Sequence, residues 1–380
     1  MTLDESRREI DEIDEQLQAL FARRMAVADN IALVKAADGI SILNVAREKE
    51  ILEKVRAGAP EEYAQYAVAF YSYLMELSRN RQRDVLINSG SFRFRLRDEL
   101  GEPREEIARP RVVAQGVPGA FAGIAAAKLY PKGKISFIDS WEEVLCCVQD
   151  GTADYGVLPV ENSTAGSVID VYDLLLKYKY NIVKALQLPV THSLLGVRGS
   201  SLSEVREVYS HPHAFPQCSA FLEQHPRMTR RPYSNTAKAA EMVAQAGDRT
   251  KAAIASTECA HIYGLDILAE GIQQQDNNCT RFISVSKRFE LHEKADKVSI
   301  IFSLPHTTGS LYRTLSRFAL GGHNLTKVES RPDPHVPFEY YFYVDFIGNV
   351  CAAQTMNLLG TLRDELPNFF FLGNYEELQP

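Results

Sequence analysis

Apolar residues recur along this chain in three different patterns in succession, and this change of pattern most constrains the fold. Residues 5–84 keep the spacing of three and four that is typical of a seam between packed helices. From residue 110, short apolar runs alternate with helical stretches, as in a mostly parallel sheet covered by helices. From residue 295 the predicted order is strand, helix, strand, strand, helix, strand. The sequence therefore predicts a multidomain chain: an all-α domain at 1–84, an α/β domain at 110–290 and a βαββαβ domain at 295–380.

Breaks in the apolar pattern divide the first domain into three helices. The seam of the first helix consists of Ile10, Ile13, Leu17, Leu20, Arg24, Val27, Ile31 and Val34. Asn44 is a good N-cap for a second helix that ends near Val55. A third helix is expected from about Glu61 to Arg83. Residues 85–109 lose the periodicity and gain charge, so we predict a linker there.

The composition is that of a soluble globular protein, with 45% hydrophobic and 24% charged residues among 380. A net charge of −7 and dispersed basic residues argue against nucleic-acid binding. No apolar run is long enough to cross a membrane, and the charged N-terminus has no visible signal peptide. The six cysteines lack metal-ligand spacing, which favours buried free thiols in a reducing compartment. These features predict a cytoplasmic enzyme or sensor.

Cations interrupt the apolar seam of the first helix. An unpaired guanidinium at Arg24 would be costly, so it needs a partner. One explanation is a structural salt bridge with Glu48. The other is an anionic ligand, because Lys35 lies within about 20° of Arg24 on the helical wheel, and Arg47 follows the second N-cap. The third helix adds a hydroxyl and an amide on one face, from Ser78 and Gln82.

Four polar stretches of the α/β domain follow or begin predicted strands. They are residues 116–121, 161–166, 211–218 and 277–282. The first either forms a simple tight turn or aims backbone N–H groups at an anion. The second either caps a helix or binds a ligand, because open α/β sheets bind ligands at the carboxyl ends of strands. The histidines of the third have no further ligand at a suitable spacing, so no metal site is predicted.

Residues 5–84 resemble the all-helical class of chorismate mutase found at the front of bifunctional chorismate mutase–prephenate dehydratases. The resemblance implies that the polar and cationic side chains of the helical domain form a pocket that binds chorismate. It also implies that Arg7 enters this pocket from the partner subunit. It also implies carboxylate-holding arginines at Arg24 and Arg47. Asn44 stands where the family usually has Asp, and it is expected to bind substrate. The other catalytic positions are the ether-oxygen donors Lys35 and Gln82, the hydroxyl-binding Glu48, and Ser78.

Residues 111–288 resemble the prephenate dehydratase domain, through an ordered set of G-x-x-G, P-[IV]-E-N-[ST], H-P-x(4)-Q-C and T-R-F motifs. The resemblance implies two α/β lobes, like those of type II periplasmic binding proteins, with prephenate between them. The catalytic threonine falls on Thr280, which would donate a hydrogen bond or a proton to the departing hydroxyl. Arg281 would either hold a carboxylate or buttress its loop. The substrate-binding positions are Asn162, Ser163, Thr164, Gln217 and Arg281.

Two alanines bear on the choice of substrate. Ala120 and Ala122 stand where many relatives have hydroxyl residues, which leaves arogenate as an alternative to prephenate. We favour prephenate, because the fused mutase would make it.

Residues 295–380 resemble the regulatory ACT domain of this family. One motif, Gly309-Ser310-Leu311, follows Thr308 at the start of a predicted helix. The other, Glu329-Ser330-Arg331-Pro332, ends a predicted strand. The resemblance implies a phenylalanine site formed by these motifs between paired domains, and hence feedback inhibition by a coupling of about 1–3 kcal/mol. It also implies a homo-oligomer that is at least a dimer.

Taken together, the sequence predicts a bifunctional enzyme that converts chorismate to prephenate and prephenate to phenylpyruvate. Phenylalanine would inhibit it, and no metal, organic cofactor, nucleic-acid partner or membrane partner is expected. The alternatives are a dehydratase with a degenerate mutase domain and a non-catalytic phenylalanine sensor. The seven mutase-type polar residues of the helical domain argue against both.

Overall fold

The structure is a computed structural model that describes residues 2–88, 106–275, 277–307, 309–333 and 336–379. The chain divides into two compact units, one of Met1–Glu99 with Met356–Glu365 and one of Leu100–Thr355 with Leu366–Pro380. Most of the predicted linker, and Thr308 of the predicted effector motif, lie outside the described residues. Within the described residues, no helix is long and apolar enough to cross a membrane.

The described part of the first unit is helical. Its elements are α1 (Leu3–Ala37), α2 (Val45–Gly58), a 3₁₀ turn (Glu61–Tyr63) and α3 (Ala64–Asn88). Thr2 and Glu5 form a capping box at the start of α1, and Asn44 caps α2 by accepting from the backbone N–H of Arg47 at 3.0 Å. The predicted end of the third helix near Arg83 is wrong, because Leu86 extends its buried face by a further turn.

The predicted seam of α1 is not buried within one chain. Its aliphatic residues are 42% to 61% exposed, and within α1 only Ala28 and Ala32 are buried. The apolar pattern therefore predicted the helix correctly but did not predict a packing partner within the same chain. An apolar stripe of this length is typical of a surface that contacts another protein molecule.

The second unit contains a ten-stranded sheet. Its strands are β1 (Arg111–Gln115), β2 (Lys134–Ile138), β3 (Tyr155–Asn162), β4 (Gly166–Ser167), β5 (Asn181–Pro189), β11 (Cys279–Ser286), β12 (Lys297–Ser303), β13 (Leu325–Pro332), β14 (Tyr340–Ile347) and β15 (Phe370–Leu378). Their order across the sheet is β13-β14-β12-β15-β5-β11-β3-β1-β2, with β4 paired to β3.

A separate five-stranded sheet lies between β5 and β11 in sequence. It consists of β6 (Ser193–Gly196), β7 (Glu207–Ser210), β8 (Thr229–Pro232), β9 (Lys251–Ala255) and β10 (Asp266–Ala269), in the order β10-β6-β9-β7-β8. The chain thus leaves the larger sheet after β5 and returns to it through β11. This arrangement confirms two α/β lobes and places 277–282 where the chain re-enters the first lobe.

Helices cover both sheets of this unit. They are α4 (Phe121–Leu129), α5 (Trp141–Asp150), α6 (Ile169–Tyr178), α7 (Ala214–Gln217), α8 (Ser219–Glu223), α9 (Thr236–Ala246), α10 (Thr257–Tyr263) and α11 (Ser310–Leu320). Buried aliphatic and aromatic residues of α5 and α6 form one core with β3, β11 and the C-terminal strands. β3, β11 and the C-terminal strands therefore share one packed interior.

The C-terminal strands have the predicted βαββαβ order. β12, α11, β13, β14, α12 (Ala353–Glu365) and β15 follow one another, and the strand order β13-β14-β12-β15 is antiparallel throughout. Most of α12 belongs to the first unit. β15 also pairs with β5 in parallel, which joins these strands to the larger sheet of the α/β lobe.

Candidate active sites

The side chains of Asn162 and Thr280 meet where β3 and β11 pair. The two residues are 118 positions apart but are direct cross-strand partners. The Asn162 Nδ2 group donates to Thr280 Oγ1 at 2.9 Å and to Asn278 Oδ1 at 2.8 Å. Because Thr280 Oγ1 accepts this bond, its own proton stays available to a ligand, and the accepted bond makes it a better donor.

The orientation of the Asn162 amide is fixed by the loop that follows β3. Its Oδ1 accepts from the backbone N–H groups of Thr164 at 3.0 Å and Ala165 at 2.9 Å, and from Thr164 Oγ1 at 2.7 Å. Three donors on Oδ1 leave only Nδ2 to face β11. Ser163 closes the loop, because its Oγ donates to the carbonyl of Asn277 at 3.0 Å and accepts from the backbone N–H of Cys279 at 2.9 Å.

Gln217 extends this polar cluster into the second lobe. Its Oε1 accepts from Asn278 Nδ2 at 3.2 Å and from His192 Nε2 at 2.9 Å. A cavity of about 360 Å³ lies beside the cluster, lined by Thr164, His213, Gln217, Gln274 and Asn278 among others. With Oε1 occupied twice, the Gln217 amide N–H groups are the ones left to donate to a ligand. The structure thus brings Asn162, Thr164, Gln217 and Thr280 together.

His192 is a residue that the sequence analysis missed. It is 3% exposed and stands edge-on to Phe121, with ring centroids 5.9 Å apart. Its position after β5 belongs to no motif, so only its proximity to Gln217 reveals a role. Since Gln217 Oε1 can only accept, His192 carries its proton on Nε2. Burial lowers the pKa of the His192 imidazole, so the neutral form is favoured.

We expect His192 to make the protein less stable in mild acid. A histidine whose folded pKa is depressed contributes stability that is lost as pH falls from its unfolded value of 6.5 through the lower folded value. The parent should therefore lose more free energy of unfolding between pH 7 and pH 5 than His192→Gln does. Urea titrations of both proteins at the two pH values measure the difference; equal losses would contradict it. His211, whose pKa is also lowered by burial, is present in both proteins and cancels.

The turn at 116–121 depends on a close approach between the lobes. A Cβ added to Gly119 would lie 2.6 Å from Cys259 Sγ, and Gly119 has a φ of +86°. Ser256 Oγ donates to the Gly119 carbonyl at 2.9 Å, and the Tyr263 hydroxyl donates to that of Pro118 at 2.8 Å. The turn then opens α4, whose N-cap residue Ala120 makes no side-chain cap bond.

Arg281 faces away from this cluster. Its guanidinium bonds Glu377 Oε1 and Asp345 Oδ2, each at 2.5 Å, and the Tyr375 hydroxyl at 2.8 Å. The residue is 9% exposed. Of the two roles expected for Arg281, the structure therefore favours the buttress over the carboxylate-binding role, because both neighbouring carboxylates already neutralise it.

In the helical unit, Arg24 contacts α3 rather than α2. It donates to the Leu74 carbonyl at 3.0 Å and to the hydroxyl of Ser78. Of the two explanations offered for Arg24, the salt bridge with Glu48 is wrong, because Glu48 pairs with Arg79 instead. Arg79 was not among the predicted residues, although it follows Ser78 directly. Burial lowers the pKa of Arg24, since the charged form is the one penalised.

The other predicted mutase residues differ in burial. Lys35 Nζ donates to the Ile42 carbonyl at 2.5 Å, and burial lowers the pKa of Lys35 although Glu48 nearby opposes the shift. Gln82 is 7% exposed, and its Oε1 accepts no hydrogen bond within the described part of the chain. Two residues lie on the surface, where Arg7 pairs with Asp4 at 3.6 Å and Arg47 with Glu50 at 2.6 Å. Within this unit, Arg7 and Arg47 are therefore not brought to Arg24 and Ser78.

The two predicted effector motifs lie on different elements of the C-terminal module, one at the start of α11 and one on β13. Gly309, Ser310 and Leu311 line a cavity of about 450 Å³ at the start of α11. The other motif lies along β13, where Glu329 accepts from Ser167 Oγ at 2.7 Å and Arg331 pairs with Asp173 at 3.2 Å. Ser330 and Pro332 are exposed on the opposite face of the same strand.

All six cysteines are free, as predicted. Their predicted burial is only partly correct, because Cys146 and Cys351 are exposed while Cys218 and Cys259 are buried.

Comparison with known proteins gives two family matches, to prephenate dehydratase over residues 112–290 and to chorismate mutase type II over residues 6–83. The chain is 37% identical over 284 residues to arogenate dehydratase/prephenate dehydratase 1, chloroplastic, of Arabidopsis thaliana, covering 70% of this chain and 72% of that protein. It is 30% identical, with a TM-score of 0.65, to the structure of prephenate dehydratase from Arthrobacter aurescens in complex with L-Phe, covering 70% and 89% of the two chains. A quorum quenching acylase, GqqA, has the same identity and TM-score over 70% of this chain and 98% of its own.

The predicted cytoplasmic location is contradicted by these relatives. Arabidopsis thaliana proteins that match this chain at 37% to 38% identity are named as chloroplastic. Composition, net charge and cysteine spacing do not distinguish one reducing compartment from another, so they gave no sound basis for that prediction.

The two family matches cover both the helical part and the α/β part of the chain. They support dehydratase, that is lyase, activity for a chain that also carries a mutase domain. The chain belongs to the prephenate dehydratase family and carries a type II chorismate mutase domain in residues 6–83.

Proposed function

We propose that this protein converts chorismate to prephenate in its helical domain and prephenate to phenylpyruvate in its α/β domain. We further propose that phenylalanine inhibits it and that it works as a homo-oligomer. The single observation that carries the dehydratase part is the Asn162 amide donating to the Thr280 hydroxyl at 2.9 Å, in a cluster whose members Thr164, Gln217 and Asn278 line a cavity.

The dehydratase reaction removes two groups from one ring. The bond to the ring carboxylate breaks and releases CO₂, its electron pair enters the ring, and the opposite C–O bond breaks as the ring becomes aromatic. A hydroxyl group leaves poorly unless it gains a proton or a strong hydrogen bond. The Thr280 hydroxyl, oriented by Asn162, is suited to supply it, while the Gln217 amide can donate to the substrate.

The mutase reaction needs charge stabilisation rather than proton transfer. A Claisen rearrangement requires a folded substrate conformer and cations or donors at the breaking ether oxygen. The half-buried cations Arg24 and Lys35 provide such charge, with Ser78 and Gln82 on α3. The exposed seam of α1 and the exposed Arg7 support a second subunit that covers the seam and contributes Arg7 to the partner's pocket.

Inhibition by phenylalanine is supported by the 450 Å³ cavity beside Gly309, Ser310 and Leu311. The Arthrobacter aurescens structure is described as a complex with L-Phe. The second predicted effector motif, Glu329–Pro332 on β13, would complete the phenylalanine site from the paired domain of another subunit.

Arogenate is the second candidate substrate of the α/β domain. It differs from prephenate by an amino group in place of the keto group, and several relatives are named arogenate dehydratases. Product analysis decides between the two. The protein is incubated separately with chorismate, prephenate and arogenate at neutral pH, with and without phenylalanine.

We expect phenylpyruvate from both chorismate and prephenate, and we expect it to form more slowly when phenylalanine is added. Formation of phenylalanine from arogenate at a higher kcat/KM than phenylpyruvate from prephenate would overturn the substrate assignment. Consumption of prephenate but not of chorismate would overturn the mutase assignment.

A further inference from the structure

The two strands that carry the catalytic pair also carry opposite charges on their reverse faces. Because side chains alternate along a strand, Glu161 and Arg281 point away from their neighbours Asn162 and Thr280. Glu161 and Arg281 are themselves cross-strand partners, and a β-bulge lies directly after Arg281. A displacement of either reverse-face side chain therefore moves the backbone that holds the catalytic pair.

Arg281 is held entirely by the C-terminal strands. Asp345 of β14 and Glu377 of β15 bond its guanidinium, and Tyr375 adds a third contact. Asp345 in turn accepts from Ser299 Oγ of β12 at 2.6 Å. The Arg281 and Asp345 side chains are 10% and 12% exposed, so removal of the Asp345 charge would leave the buried guanidinium with Glu377 as its remaining carboxylate partner among these residues.

Glu161 is held by β13, the strand of the predicted effector motif. Lys327 Nζ donates to Glu161 Oε1 at 2.8 Å and to Ser167 Oγ at 2.8 Å. Ser167 Oγ donates to Glu329 Oε2 at 2.7 Å, and Lys327 lies 3.7 Å from the same carboxylate. One network thus connects Glu329 of the motif to the residue before Asn162.

Lys327, which bonds Glu161, and Asp345, which bonds Arg281, are neighbours. Lys327 and Asp345 are cross-strand partners in β13 and β14. The C-terminal module therefore presents one cation and one anion side by side, opposite the anion and the cation on the reverse face of the catalytic strands. Each charge of the module thus bonds the opposite charge on β3 or β11, Lys327 with Glu161 and Asp345 with Arg281.

We propose that Glu161 and Arg281 are positioning residues through which the C-terminal module, by way of Lys327 and Asp345, sets the placement of the Asn162–Thr280 pair. This inference rests on the dehydratase part of the proposed function. Asp345 has the larger effect on catalysis, because its partner Arg281 is the residue next to Thr280. Lys327 has the larger effect on inhibition, because it contacts Glu329 of the predicted effector motif.

The test compares Asp345→Asn and Lys327→Met with the parent as full chains. Lys177→Met is a matched control, because it removes an ion pair with Glu142 at 2.6 Å on α5 and α6. Asp345→Asn should lower kcat for the dehydratase about 10-fold with KM changed less than about twofold, as for a group that acts on the transition state. Lys327→Met should raise the phenylalanine concentration for half-inhibition about 10-fold, within the range of allosteric couplings.

Rescue separates positioning from general stability. The reversed pair Glu161→Lys with Lys327→Glu should restore inhibition that Lys327→Met has lost, whereas a merely structural loss would not be restored. Variants that behave like Lys177→Met in kcat, KM and inhibition would overturn the proposal. A lower KM in Asp345→Asn would instead identify Arg281 as a substrate ligand and overturn it as well.

Hydrogen exchange keeps the inference separate from the proposed function. If the parent converts neither prephenate nor arogenate, the proposed function fails, but the positioning role still predicts faster amide exchange in 158–164 and 278–286 of Asp345→Asn. Peptides from β7 should be unchanged in the same sample. Exchange equal to that of Lys177→Met in both catalytic strands would overturn the positioning role on its own.

Discussion

Thr280→Ala is expected to accumulate prephenate from chorismate while the parent yields phenylpyruvate. The variant loses the hydroxyl that Asn162 Nδ2 contacts across the strand pair, at 2.9 Å. Removal of one positioned donor or proton source typically costs about 10²–10³ in kcat. The cavity lining beside Thr164 and Gln217 is unchanged, so KM should change far less than kcat.

The controls for Thr280→Ala use the same chain. Mutase activity on chorismate should be that of the parent, which excludes a general folding defect. Thr280→Ser keeps the hydroxyl and should retain most of the dehydratase activity. If Thr280→Ala makes phenylpyruvate at the parent rate, the threonine has only a structural role and the assignment is wrong.

The structure brings together four of the residues that the sequence assigned to one site, Asn162, Thr164, Gln217 and Thr280, but the sequence did not predict their geometry. Asn162 and Thr280 come from separate motifs, and only the β3–β11 register makes them direct partners. The register depends on which strand follows the second lobe back into the first sheet, and local spacing carries no information on that. His192 was missed for the same reason, because its contact with Gln217 joins residues 25 positions apart that share no motif.

Arg281 shows that adjacent residues of a sequence motif can have different roles when the motif lies on a β-strand. Adjacent letters of T-R-F suggest a shared task, yet neighbouring side chains of a strand point to opposite faces. Thr280 faces the polar cluster, whereas Arg281 faces Asp345 and Glu377. The motif therefore places the proposed catalytic threonine beside a residue whose side chain contacts the C-terminal strands.

In the helical unit, periodicity predicted the helices but not their packing. The apolar seam of α1 is exposed in the single chain, and Glu48 bonds Arg79 rather than Arg24. A seam pattern indicates that a face is buried without indicating which molecule buries it. To predict that Glu48 pairs with Arg79, one must know how α2 and α3 are rotated relative to each other, and the sequence pattern does not give that orientation.

Lys35→Met is expected to lower kcat/KM for chorismate about 10²–10³-fold, the usual cost of one donor to developing oxygen charge. Methionine keeps an unbranched apolar stem out to Cε and removes the ammonium group that donates to the Ile42 carbonyl at 2.5 Å. Lys49→Met is the matched control, because Lys49 lies on α2 with its side chain 77% exposed and pairs only weakly with Glu53 at 4.0 Å. Dehydratase activity with supplied prephenate should equal that of the parent in both variants.

The pH dependence of the mutase gives a second test of Lys35. Burial lowers the pKa of Lys35 from its ordinary value of 10.5, while Glu48 opposes the shift. The required cation is present below the lowered pKa and is lost as pH rises through it, so the alkaline decline should begin below pH 10.5. Gln82 has no titrating proton, so no acid limb should arise at that position. A rate that stays constant up to pH 10.5, or a Lys35→Met variant with parent activity, would show that another group stabilises the ether oxygen.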